Sequence, residues 1–165
     1  MQFSSKVVFH EMCIQTLKEM GAEVIDIEGI MVFVRIEINE NVQLTYLYHR
    51  NPDGTFLLER IKPYILLIGE YESEEVVLDN IVNDIDQFTN ACKSHKFDSF
   101  IETTSLLVKL TRDLDDLFLY FNINDEDMKY IHDSVNVLWQ SLYRIKNHSE
   151  RIYYKTDPQS LKDSE

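Results

Sequence analysis

The sequence predicts an α+β fold: an N-terminal helix, a four- or five-stranded antiparallel meander sheet, then three C-terminal helices. Three observations predict it. Apolar residues follow helical spacing up to Gly21, alternate through residues 22–61, and return to helical spacing from Ser73 onward. The segments between the alternating runs are too short for crossover connections, so neighbouring strands must be antiparallel. Asn51-Pro52-Asp53-Gly54 carries the chemistry of a tight turn: Pro52 presets φ, Asp53 tolerates the second corner and Gly54 accepts positive φ.

The elements follow in order. Residues 5–20 read as a helix capped by Ser4 or Ser5 and ended by Gly21, with Phe9, Cys13, Leu17 and Met20 toward a core. Gly29 separates a possible first strand from the run Val32, Val34, Ile36 and Ile38, which alternates with Phe33, Arg35 and Glu37. Asn39-Glu40-Asn41 turns the chain into Val42, Leu44, Tyr46 and Tyr48, and the Asn51–Gly54 turn leads to the next strand. Pro63 disfavours helix at Lys62, and Tyr64-Ile65-Leu66-Leu67-Ile68 reads as a buried strand.

Ser73 caps a helix whose apolar face is Val77, Ile81, Ile85, Phe88 and Cys92. Ser99 to Glu102 fits a capping box, which starts a helix at Asp98 or Ser99 that runs to about Phe121. Its expected core positions include Ile101, Thr104, Val108, Leu114, Phe118 and Phe121. The last helix opens at Asn124. Met128, Ile131, Val135, Leu138, Leu142 and Ile145 keep strict 3-4 spacing, the seam a helix presents to a partner helix. Residues 1–150 read as one α+β domain and 151–165 as a polar C-terminal tail; a chain of 165 residues is one domain by prior and needs no metal or disulfide staple.

Charge supplies the functional direction. Sixteen carboxylates against five basic side chains lie between Glu70 and Asp133, a net −11 of the chain's −13. Such a field repels nucleic acid and attracts basic protein surfaces. Glu72, Glu75, Asp79 and Asp86 are the expected partner-binding residues, on the solvent side of the first acidic helix with Asn83. Several acids have local explanations: Glu74, Glu75, Asp125, Glu126 and Asp127 sit in first helical turns, where they complement the helix dipole. A solvated face that only keeps the protein soluble is the competing explanation.

No catalytic residues are expected, because no nucleophile elbow, phosphate-binding loop, dinucleotide fingerprint or zinc-protease motif occurs. Arg144 and His148 share a helix face, but helix C-terminal cations are routinely structural. No metal or other cofactor is expected. His10-x-x-Cys13 and Cys92-x-x-His95 could jointly hold zinc, yet neither has finger spacing and both cysteines lie on apolar faces. Asp113, Asp115 and Asp116 with Asp125–Asp127 lack the rhythm of a calcium loop. Two unpaired cysteines, no apolar leader and no apolar run of membrane length suit a cytoplasmic protein.

The expected function is therefore a non-enzymatic acidic interaction protein that binds a basic protein surface, as an inhibitor, an immunity protein or a mimic of nucleic acid. Neither direct nucleic-acid binding nor membrane association is expected. Tyr130, Trp139, Tyr143, Tyr153 and Tyr154 form a second candidate contact patch. An opening helix followed by a strand meander, over about residues 5–50, resembles the start of small acidic secretion-chaperone folds in element order. That resemblance implies the alternative of a pocket for a peptide or small ligand. A metal-dependent hydrolase is a third and weaker alternative.

Overall fold

The computed structural model describes residues 5–22, 24 and 29–161, and in the first helix the side chains from Met12 onward. Eight elements follow one another: α1 (Ser5–Glu19), β1 (Met31–Asn39), β2 (Val42–Arg50), β3 (Phe56–Lys62), β4 (Leu66–Tyr71), α2 (Glu74–Ala91), α3 (Phe97–Tyr120) and α4 (Asp125–His148). The sheet has four antiparallel strands in sequence order. A fifth strand before Gly29 would fall on residues 23–28, largely outside the described residues.

Turn chemistry sets the register. Asn39 Oδ1 accepts from the backbone N–H groups of Asn41 and Val42 at 2.9 and 3.0 Å, closing the β1–β2 turn. Gly54 N donates to Asn51 O at 3.0 Å and Gly54 takes φ +95°, the left-handed conformation for which glycine carries no Cβ penalty. Asp53 Oδ1 accepts from Thr55 N at 3.0 Å and braces that turn.

Alternation puts Leu44, Tyr46, Tyr48, Phe56 and Leu58 on one face of the sheet, all buried. α2 covers that face with Val77, Ile81 and Phe88. Ser73 caps α2, its hydroxyl accepting from Val76 N, and Glu74 and Glu75 occupy the first turn. Phe88 meets Phe97 edge to face at 6.2 Å, which ties the start of α3 to the end of α2.

Several expectations fail. Tyr64–Ile68 is not a buried strand: β4 begins at Leu66 and forms a sheet edge, with Ile65, Leu66 and Leu67 exposed. Its apolar run has no period because it spans a turn and an edge. The Ser99–Glu102 capping box does not form, because α3 already starts at Phe97 and Ser99 lies inside it. Burying Phe97 against Phe88 carries the helix start upstream of the capping residue. Cys13 and Leu17 on α1, and Met20 just after it, are exposed and outside the core among the described residues, and Phe9 lies outside the described side chains. Phe118 and Phe121 are exposed, and so are Val135, Leu138, Leu142 and Ile145 of the α4 seam, with Met128 and Ile131 half-buried. Among the described residues α2 alone runs its backbone close against the sheet.

Candidate functional site

The outer side of α2 is built by helical spacing. Glu75, Asp79 and Asp86 are four and seven residues apart, so they project together, opposite the Val77–Ile81–Phe88 face. Glu75 and Asp79 are exposed. Glu72 is exposed but precedes the capping Ser73, so it stands beside the helix and extends the stripe only loosely. Val76, Leu78 and Val82 are exposed on the same outer side, so the surface is acidic and apolar together.

Asp86 has partners from the tail. Tyr153 Oη donates to Asp86 Oδ2 at 2.7 Å, and Lys155 Nζ donates to Asp86 Oδ1 at 2.8 Å. Gln87 Nε2 donates to Thr156 Oγ1 at 3.2 Å and Gln159 Nε2 to Asn80 Oδ1 at 3.4 Å. Residues 153–156 meet Asp86 and Gln87, and Gln159 meets Asn80, so the tail is an irregular strap that runs back along the helix toward its N-terminus. Arg151 organises its start: Nε donates to Tyr153 O at 2.7 Å, and Nη2 donates to Thr156 O at 2.8 Å and to Asp157 Oδ1 at 2.9 Å.

Protonation follows these contacts. The Lys155 ammonium, then the Tyr153 hydroxyl, hold the Asp86 carboxyl below its ordinary value of 3.8. Its hydrogen bond to Asp86 raises Lys155 above its ordinary 10.5, and the same carboxylate raises Tyr153. The docked strap is thus favoured at neutral pH. It is weakened as pH falls through the depressed Asp86 value, and again as pH rises through the elevated Lys155 value.

Beneath the strap lies a cleft of about 580 Å³ between β4, α2 and residues 156–160. Its floor is Arg60, 3% exposed, which donates to both Asp84 oxygens at 2.8 and 2.9 Å. The guanidinium lies 4.4 Å from the Tyr64 ring centroid and 4.7 Å from that of Phe88. Tyr46 Oη donates to Asp84 Oδ2 at 2.8 Å, and burial followed by the Asp84 charge pushes its ionisation far up. Arg60 Nε is buried and has no hydrogen-bond partner among the described residues. At the other end of α2, a hydrogen bond from Tyr48 to Glu74 pushes the tyrosine up to about 12.

Sequence reasoning missed Arg60, and it placed Tyr153 in an aromatic contact patch without linking it or Lys155 to Asp86. Arg60 had a signal: it is the one charge in the inward series Phe56, Leu58, Arg60. Tyr153 and Tyr154 were a hint that residues past Glu150 were more than a solvated tail. The other candidates remain dispersed. Among the described residues no three His, Cys, Asp or Glu side chains come together as a metal site, Cys13 and His95 are exposed, and the side chain of His10 is not described. Burial raises the Cys92 thiol above its ordinary value, which disfavours the thiolate a metal requires. No helix among the described residues is long and apolar enough to cross a membrane.

The chain matches no protein-family model, and no curated protein or solved structure is significantly similar to it. The functional reading accordingly rests on the geometry of α2, the strap and the cleft.

Proposed function

We propose that the protein is a non-enzymatic, cytoplasmic interaction protein that takes a basic segment of a partner protein on the acidic side of α2. The observation that carries this reading is the strap: a stretch without regular secondary structure bearing Tyr153 and Lys155 lies on Asp86. The chain's own tail thereby illustrates the chemistry the stripe accepts, an ammonium and a phenol. Glu75 and Asp79 continue the acidic track toward the helix N-terminus, and Glu72 lies just beyond it. Exposed Val76, Leu78 and Val82 supply apolar contact beside the charges, the mixture a protein partner uses. A partner with more basic side chains than Lys155 alone would displace the strap. An inhibitor or immunity role is compatible with this chemistry.

The test is a titration followed by NMR. The probe is a synthetic peptide of residues 151–161, added to the full chain carrying Tyr153→Phe and Lys155→Glu, which releases the strap. The released chain should bind the peptide at least about tenfold more tightly than wild type, whose tethered strap competes at millimolar effective concentration. Binding should weaken as salt rises to physiological strength, where the Debye length is about 8 Å. Adding Glu72→Gln, Glu75→Gln, Asp79→Asn and Asp86→Asn should abolish it. Equal binding after neutralisation would leave the acids as a solubilising surface and sink the proposal.

A second reading has one specific observation behind it. The unpartnered Arg60 Nε at the floor of the cleft would suit a small ligand or peptide offering one acceptor atom. Chemical-shift changes at Tyr64 and Phe88, without changes at Glu75 and Asp79, would favour that reading.

A further inference from the structure

Among the described residues, the seam of α4 is a long apolar feature exposed over much of its length. No residue of this 24-residue helix is buried. Val135, Leu138, Leu142 and Ile145 are 50, 45, 47 and 55% exposed, while Met128 and Ile131 are half-buried. A helix that repeats apolar residues at 3-4 spacing and leaves them in water calls for an occupant.

We propose that the occupant is α4 of a second copy, packed antiparallel about a two-fold axis between residues 136 and 137. The spacing of the seam is its own mirror about that point. Met128 faces Ile145 of the other copy, Ile131 faces Leu142 and Val135 faces Leu138, and each pair recurs by symmetry. In heptad terms Met128, Val135 and Leu142 take position a, and Ile131, Leu138 and Ile145 take position d. An antiparallel pair needs layers of a against d, which is what this spacing supplies.

Charge complementarity selects the orientation. The flanks of the seam on one side are Asp125, His132, Trp139 and Lys146, and on the other Asp127, Ser134, Ser141 and His148. Antiparallel pairing sets Asp125 against Lys146 and Asp127 against His148, each pair twice, with no like charges opposed. Lys146 has a contact within its own chain, so the apolar seam and not this pair carries the association. Parallel pairing would instead bring the first-turn acids Asp125, Glu126 and Asp127 of both copies together. This interface uses no residue of the α2 stripe, so it stands or falls independently of the partner-binding reading.

The experiment is sedimentation velocity on the full chain across roughly 1 to 300 μM, with spin-label distances on a chain whose Cys13 and Cys92 are replaced by Ser. Wild type should shift from monomer to dimer within that range. Val135→Glu with Leu138→Glu should keep it monomeric at every concentration while circular dichroism retains its helix content. Asp125→Lys should weaken the dimer at least about threefold, and Lys146→Glu added to it should restore it. A single label at Asn136→Cys should read a short distance between copies, and one at Glu126→Cys about 30 Å, given 1.5 Å rise per residue. A monomer throughout, as when α1 or another segment of the same chain covers the seam, would overturn the proposal. So would a dimer that survives the double glutamate variant, or equal short distances at both labels.

Discussion

Two helices of the molecule have the same kind of apolar stripe and opposite fates. α2 presents Val77, Ile81 and Phe88 to the sheet and buries all three. α4 has the more regular stripe and buries nothing. Both are amphipathic, both have a capping side chain at the N-terminus, and both carry acids in the first turn. The difference lies in what stands opposite. α2 follows β4 by a two-residue link, so its stripe falls on the sheet face that alternation has already made apolar. α4 follows a 24-residue helix that leaves the sheet after its first turn. Periodicity decides where a stripe lies, and connectivity decides whether the same chain can cover it.

The comparison breaks most sharply under truncation of one side chain in each helix. Phe88→Ala removes a ring in contact with Tyr64, Phe97 and Phe100, and should cost about 3–5 kcal/mol in urea unfolding. Leu142→Ala, measured at sub-micromolar concentration where a dimer would dissociate, should cost less than about 1 kcal/mol, because half its surface is already in water. Comparable losses at the two sites would show that α4 is covered within the single chain.

Arg60→Met tests the polar part of the α2 interface. It leaves the largely buried Asp84 with one donor, Tyr46, and removes the stacking on Tyr64 and Phe88. Breaking such a pair from one side should destabilise by about 3 kcal/mol, with Arg60→Met and Asp84→Asn far from additive in a double-mutant cycle. Tyr46→Phe, which deletes one hydrogen bond to Asp84 and keeps the ring, should cost about 1 kcal/mol.

Loss of the strap should leave global stability almost untouched and alter local protection only. Between the depressed Asp86 value and the raised Lys155 value the strap is docked, so the side-chain NMR signals of Tyr153 and Lys155 should report contact with Asp86 at pH 7. Acidification through the depressed Asp86 value, below the ordinary carboxylate range, should release them first, before the sheet opens. Asp86→Asn should produce the same release at pH 7. The smallest effect belongs to the outer stripe. Glu75→Gln or Asp79→Asn should change unfolding free energy by no more than about 0.5 kcal/mol, in contrast with every variant on the inner side of the same helix.

Much of the fold was legible because local chemistry is self-contained. Asn51–Gly54, Ser73 and Asn124 act through backbone groups within a few residues of themselves, so their roles could be read without knowing the fold. The candidate site was legible only in outline. Spacing put Glu75, Asp79 and Asp86 on one stripe, but Asp86 is engaged by side chains 67 and 69 residues away. No local rule links an acid on one helix to a tyrosine in a tail. The capping box at Ser99 failed for a related reason: burial of Phe97 against Phe88 outweighed a cap worth about 1 kcal/mol.

The sequence by itself determined the element order, the antiparallel pairing, the turn at Gly54, the apolar face of α2 and the concentration of negative charge between Glu70 and Asp133. These depend on side-chain periodicity, backbone sterics and short hydrogen bonds, all of which are encoded within a window of a few residues. Only the tertiary structure decided that β4 is an exposed edge, that Arg60 is held between two rings and Asp84, that the tail straps α2, and that α4 is left bare. Each of those depends on which distant surfaces meet. That is settled by the direction in which each helix leaves its predecessor and by which apolar surfaces those directions bring together.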